Sequence, residues 1–120
     1  MRMKRDMGLI RQILLNVEDW PPNCGTSDIE IVDRSLEEIE YNTYQAIKGG
    51  LLEGVTDDVD ELSCVVFGLT PEGHDFLDNA RNEFVWDAVF EDCKKKGITS
   101  ASVDVVKKLL NKKIKKVLEL

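Results

Sequence analysis

Residues 49–73 read GGLLEGVTDDVDELSCVVFGLTPEG, and the predicted order of helices and strands is worked out from this segment. The pair Gly49-Gly50 predicts the end of a helix, because a left-handed residue commonly follows the last turn and glycine adopts it without strain. Residues 51–55 and 62–67 then read as two strands of a β-hairpin. Thr70 as N-cap and Pro71 as first helical residue predict that a new helix follows the hairpin at once.

The hairpin strands alternate in a way that predicts which side chains share a face. Cys64 and Val66 fall on one face, whereas Val65 and Phe67 fall on the other, and we expect both faces to be partly covered. The acidic connection, residues 56–61, lacks the spacing of a calcium-binding EF-hand loop. It is expected to form a solvated tip that keeps the hairpin from pairing with other strands.

Upstream of this stretch the pattern predicts two helices separated by a short strand. Residues 6–20 carry an apolar stripe at helical spacing, and Pro21-Pro22 ends that helix. Alternation in Ile29-Glu30-Ile31 predicts a short strand. Ser35 begins the second helix, since Glu38 follows it at the spacing of a capping box.

Downstream the pattern is helical. The helix after Pro71 either continues through residues 79–82 or breaks there into a second helix that ends at Gly97. A last helix begins at Ser100 or Ser102. Its apolar stripe should be buried against the first helix, the 84–89 segment or a second subunit. That stripe consists of Val103, Val106, Leu110, Ile114 and Val117.

Charge is divided unevenly along the 120 residues. The net charge of −7 combines 7 Lys/Arg and 21 Asp/Glu over residues 1–93 with 9 Lys and two acids over residues 94–120. The balances are −14 and +7. A body this acidic repels phosphate, which disfavours non-specific nucleic-acid binding.

The composition also excludes several classes of protein. With 42% apolar and 32% charged residues the chain reads as one globular domain over 1–120, without a membrane-spanning run or a signal-peptide core, so we expect a cytoplasmic location. Three scattered cysteines, Cys24, Cys64 and Cys93, predict reduced thiols and neither a disulfide framework nor a metal clip. We expect no cofactor, no metal and no small-molecule substrate.

The order of elements predicts a mostly helical α+β fold that resembles a winged-helix core. Helix, short strand, helix and hairpin wing would occupy residues 4–81, and C-terminal helices would form an extension over 82–120. One departure concerns the interval from Asp33 to Gly49, where a helix-turn-helix unit ordinarily has two helices. About fifteen residues leave room for two helices only if the first is very short or is fused with the second.

Four segments carry a resemblance to a known family. They are Met3-Lys4-Arg5-Asp6-Met7, Ser27-Asp28-Ile29-Glu30-Ile31, Gly50-Leu51-Leu52-Glu53-Gly54 and Gly73-His74-Asp75-Phe76-Leu77-Asp78. Together they resemble an uncharacterised bacterial and phage family, the domain of unknown function 2513. The resemblance implies a winged-helix-like fold and an intracellular, mobile-element setting, and it implies no activity.

The second helix would be the recognition helix of a winged-helix protein, and two interpretations of its outer face compete. Arg34, Asn42, Gln45 and Lys48 are the candidate DNA contacts, because amide side chains read adenine and cations reach phosphates. Tyr41, Tyr44, Glu38 and Gln45 are the candidate protein contacts, because exposed tyrosines suit interfaces. Alternatively, the two tyrosines cover the body internally.

A catalytic interpretation has the least support. His74 is the only histidine. If it activated Thr70 or Ser63 as a nucleophile, the site would also need an oxyanion hole, and the sequence contains no G-x-S-x-G motif. A structural role for His74 is favoured. The sequence therefore predicts a non-catalytic interaction or regulatory module with a protein partner or self-association. A DNA-binding transcriptional regulator is the alternative.

Overall fold

The computed structural model describes residues 4–20, 29–57, 59, 64–96 and 102–118. Its helices are α1 (Met7–Glu18), α2 (Leu36–Lys48), α3 (Pro71–Ala80), α4 (Glu83–Lys95) and α5 (Val103–Leu118), and its strands are β1 (Leu52–Thr56) and β2 (Cys64–Leu69). The predicted class, mostly helical α+β, is confirmed.

The start of α1 is joined to α2 by a polar network. Asp6 is the N-cap of α1, and its carboxylate accepts from the backbone N–H of Leu9 at 3.1 Å and from Arg34 at 2.8 Å. The backbone N–H of Asp6 donates to Asn42 Oδ1 of α2 at 2.7 Å. Because the bonds of Asp6 to Arg34 and Asn42 link residues far apart in sequence, they set where α1 lies on α2.

The hairpin is clamped at its base. The Thr70 hydroxyl donates to the carbonyl oxygen of Gly50 at 2.6 Å and accepts from the backbone N–H of Gly73 at 2.9 Å. Gly50 has a φ of 80°, so the left-handed residue that the sequence predicted lies there, whereas Gly49 is an ordinary right-handed C-cap. A Cβ at Gly73 would overlap the carbonyl oxygen of Leu51, which is why the chain closes here on glycine.

The predicted strand at residues 29–31 is wrong. Residues 29–31 have no regular secondary structure, and the two strands found in the described residues pair only with each other, antiparallel. Ile29 is nevertheless buried in the core, and a turn with Asp33 at a φ of 65° leads into α2. The alternation of isoleucines therefore marks an anchor to the core, since a strand needs a partner for its backbone hydrogen bonds.

Asp33 and Gly49 enclose a single helix, α2, where a helix-turn-helix unit would have two. The predicted capping box is present, because the Ser35 hydroxyl accepts from the Glu38 backbone N–H at 3.1 Å and the Glu38 carboxylate accepts from that of Ser35 at 3.3 Å. The segment from Asp33 to Gly49 is thus one capped helix preceded by a turn.

The C-terminal helices pack on the same molecule. The helix after the hairpin breaks at Arg81, and Asn82 caps α4 through a bond from the Val85 N–H at 3.2 Å. Helix α5 contacts α3 and α4, and the Ser102 hydroxyl accepts from the Val105 N–H at 3.2 Å. Of the predicted stripe, the three members that are fully buried are Val103, Val106 and Leu110.

The remainder of that stripe emerges from the core. Ile114 is partly buried, and Val117 in the last turn is exposed. One cluster of buried side chains nevertheless draws on all five helices and both strands. The predicted breaks at Pro21-Pro22, Gly97 and Ser100 lie outside the described residues.

Candidate interaction surfaces

The two tyrosines of α2 stack on the surface of the helix. Their ring centroids lie 6.4 Å apart with planes 25° from parallel, and the Lys48 Nζ lies 5.9 Å from the Tyr44 centroid. Tyr41 and Tyr44 are both half-buried. One face of each ring is therefore turned towards the other ring. The pair offers a partner a smaller aromatic contact area than two fully exposed rings would offer.

Two of the four candidate DNA contacts, Asn42 and Arg34, form hydrogen bonds with Asp6. Asn42 is 2% exposed, accepts from the Asp6 N–H and donates to the Glu38 carbonyl oxygen at 2.9 Å. Its burial argues against a base-reading role, because residues 4–6 lie over that part of α2. Arg34 is ion-paired with Asp6 and Glu38, and the hydrogen bond with Asp6 raises the pKa of its guanidinium.

The other predicted contacts have intramolecular partners as well. Gln45 accepts from Arg5 Nε at 3.3 Å, and Lys48 lies beside Tyr44. The pKa of the Glu38 carboxyl is lowered, first by the backbone hydrogen bond from Ser35. The structure thus brings Arg34, Glu38 and Asn42 together into the network that starts α1 and α2.

The outer face of the hairpin carries exposed apolar side chains, and we call it the hairpin face. Val55 and Val65 are paired in register across the strands and are 59% and 43% exposed, and Phe67 is 56% exposed. The expectation that both faces are partly covered holds only for the inner face, where Cys64 and Val66 are buried. Burial also raises the pKa of the Cys64 thiol, so the thiolate is disfavoured there.

The sequence alternation placed Val65 and Phe67 on one face but missed Val55. The β1–β2 register contains an irregularity between Glu53 and Gly54, and it determines which β1 side chains join that face. A Cβ at Gly54 would overlap the carbonyl oxygen of Val65, so glycine permits the close approach of the two strands. The pairing of Val55 with Val65 follows from that register, so no pattern within the sequence indicated it.

The residues weighed for catalysis have structural surroundings. The Thr70 hydroxyl is engaged at the base of the hairpin, and His74 is exposed on the first turns of α3 with its backbone N–H bonded to the Thr70 carbonyl oxygen at 2.9 Å. Ser63 lies outside the described residues. Among the residues that the structure describes, no group of three or more His, Cys, Asp or Glu is placed to hold a metal ion.

In the described part of the chain, open grooves lie beside α5. One of about 430 Å³ runs between α3 and α5 and is bridged by an Asn79–Asn111 hydrogen bond of 2.7 Å. A second of about 390 Å³ lies between Arg5, the end of α2 and the start of α5, and a third of about 190 Å³ lies between α4 and α5. No helix in the described part of the chain is long and apolar enough to cross a membrane.

The fold and surfaces define a small α+β protein with exposed apolar and charged faces. The chain belongs to the family described as hypothetical protein (DUF2513), whose model matches residues 4–99. It is also similar to an uncharacterized protein of Haemophilus influenzae, with 30% identity over 109 residues that cover 89% of this chain and 92% of the relative. No solved structure matches it.

Proposed function

We propose that this protein is a non-catalytic module of the cytoplasm that binds another protein through the hairpin face. The observation that carries the proposal is the exposure of Val55, Val65 and Phe67 side by side on a two-stranded sheet. Contiguous exposed apolar side chains with a polar rim mark interaction sites, because removing them from water in a complex is favourable.

The charges around the hairpin face indicate what the partner must offer. Glu53 and Asp57 are exposed on β1 and directly after it, and residues 1–93 carry the −14 balance. A partner surface with an apolar centre and a basic rim matches these features. Tyr41 and Tyr44 provide a second, smaller contact on α2, which together with Glu38 and Gln45 was the surface favoured by the sequence.

A photo-crosslinking experiment in the native host tests the proposal. A benzophenone side chain replaces Phe67 in one variant and Phe84, an exposed phenylalanine of α4, in the matched control. We expect a discrete crosslinked protein at position 67 that is absent at position 84. Diffuse or identical products at both positions would contradict a specific partner at the hairpin face.

A DNA-binding regulator is the alternative, and the lysines of α5 favour it. Lys108 and Lys115 are exposed on the face of α5 that points away from the core, whereas Arg34 and Asn42 are engaged in the α1–α2 network. Selection from a random DNA pool at physiological salt distinguishes the two functions. An enriched motif would replace the protein-binding proposal, and examination of the genes next to this one in the host would test the mobile-element setting.

A further inference from the structure

The groove between α4 and α5, which we call the lysine cleft, combines an apolar floor with a basic rim. Val89 of α4 and Leu109 of α5 line the floor, and the volume is about 190 Å³. Val89 is 3% exposed whereas Leu109 is half-buried, so Leu109 offers a ligand more apolar surface than Val89 does. Among the described residues, the charged side chains that line the cleft are Lys96, Lys112, Lys113, Lys116 and Asp92.

The spacing of residues along both helices brings these side chains to one stripe on each. On α5, the lysines of the cleft follow Leu109 at steps of three, four and seven residues, which places them on the same face of the helix. On α4, Asp92 and Lys96 follow Val89 at steps of three and seven residues. Lysines one turn apart repel each other, so an anionic ligand on the rim relieves that repulsion.

The size of the cleft and its apolar floor limit the kind of anion that fits. Sites for drug-sized molecules have volumes of about 300–1,000 Å³, so a cleft of about 190 Å³ suits a single side chain better than a whole small molecule. An inorganic anion such as phosphate would contact the lysines but leave Leu109 in water. A short peptide segment uses both parts, with one aliphatic side chain on the floor and carboxylates beside the lysines.

A nucleic acid fits the cleft less well than an acidic peptide does. Single strands bind by stacking their bases on aromatic rings, and no aromatic side chain is among the described residues that line the cleft. Residues 1–93, with their balance of −14, also repel an extended polyanion. A segment of a few residues keeps its charge within the cleft and avoids most of that repulsion, since the Debye length is about 8 Å at physiological salt.

We propose that the lysine cleft binds an acidic peptide segment of another protein, in which carboxylates flank one aliphatic side chain. That side chain packs on Leu109 and Val89, and the carboxylates accept hydrogen bonds from the lysine ammonium groups. The hairpin packs against α1, α2 and α3, so the cleft between α4 and α5 is a second binding surface, separate from the hairpin face.

Fluorescence anisotropy with a labelled model peptide tests this proposal. The probe is a fluorescein-labelled peptide that carries one leucine between two pairs of glutamates, and it is titrated with the full chain at about 0.1 M salt. The cleft variant is Lys112→Glu/Lys113→Glu, and we expect it to bind the probe at least about tenfold more weakly than wild type. If circular dichroism shows that this variant does not fold, Lys112→Gln/Lys116→Gln carries the same comparison.

A matched control variant and altered probes separate the contributions of charge and apolar contact. Lys108→Glu/Lys115→Glu changes the charge of α5 equally outside the cleft, and it should bind the probe within about twofold of wild type. A peptide with glycine in place of leucine should bind at least about fivefold more weakly, because the floor loses its occupant. A peptide with glutamine in place of glutamate should not bind measurably. A five-nucleotide DNA strand carries the same four charges without an aliphatic side chain, and it should bind more weakly than the probe.

Three results would overturn the proposal. They are a wild type that does not bind the probe, a control variant that loses binding as fully as the cleft variant, and an altered peptide or DNA strand that binds as tightly as the probe. A Phe67→Ser variant should bind the probe like wild type. Loss of the crosslinked partner at position 67 would therefore count against the proposed function alone, and loss of probe binding against the lysine cleft alone.

Discussion

Asn42 illustrates how one side chain can look like a recognition residue and act as a structural one. Its amide accepts from the Asp6 backbone N–H and donates to the Glu38 carbonyl oxygen within α2. Both bonds are removed from water, since the side chain is buried. An unsatisfied group left behind in such a place costs more free energy than the bond itself contributes.

We therefore expect Asn42→Ala to lower the free energy of unfolding by about 1–3 kcal/mol. Gln45→Ala is the matched control on the same helix, and it should cost less than about 1 kcal/mol because Gln45 is only half-buried. Urea unfolding of both variants measures the difference. Equal stabilities would mean that the α1–α2 network does not depend on Asn42.

Gly50 provides the second prediction at the scale of single residues. Because its φ is 80°, Gly50→Val should destabilise the protein by on the order of 1–2 kcal/mol, as Cβ approaches the carbonyl oxygen. Gly68→Ala is the control, since a Cβ there meets nothing within 4 Å. Thermal unfolding should show a clear loss for the first variant and little change for the second. A reversed order would contradict the assigned end of α2.

At the scale of elements, the apolar side chains along one face of α5 differ in how much of their surface is exposed. Leu110 is 1% exposed between α3 and α4, whereas Val117 on the same helix is 46% exposed. Lys107 bonds to Glu72 of α3 at 3.2 Å, but the partners are partly exposed and such a pair contributes little. Apolar burial therefore dominates the docking of α5.

Leu110→Ala should lower the free energy of unfolding by about 2–5 kcal/mol, because it removes buried methyl groups and leaves a cavity. Val117→Ala and Lys112→Ala should each change it by less than about 0.5 kcal/mol, as surface substitutions do. Chemical denaturation of the three variants gives the comparison. A Leu110→Ala variant as stable as wild type would show that α5 does not dock as the structure has it.

At the scale of the whole molecule, α5 completes a core to which every other element contributes. Deleting residues 98–120 would uncover the surfaces of α3 and α4 that Val103, Val106 and Leu110 cover. We expect that product to aggregate or to be partly unfolded in size-exclusion chromatography and thermal melting. Deleting only residues 117–120 removes the exposed side chains of Val117 and Leu118, and it should be tolerated.

A truncated chain that stays monomeric and melts at the temperature of the intact protein would contradict this role of α5. The helix would then be an independent arm. Its lysines would then be better explained by binding to a polyanion than by the solvated face of a docked helix.

The features that the sequence predicted correctly depend on bonds between near neighbours. The capping box of Ser35 and Glu38, the left-handed Gly50 and the Thr70-Pro71 helix start each involve atoms within about four residues, so local spacing carries the information. The apolar period of α5 likewise predicted a buried face.

Long-range contacts decided the rest. The isoleucines of residues 29–31 alternate like a strand, but no described strand pairs with them, and Ile29 is instead buried in the core. Asn42 is enclosed because residues 4–6, more than thirty positions away, cross over α2. The open hairpin face also depends on which elements pack together. Burial is a property of that packing, which periodicity within one element does not contain.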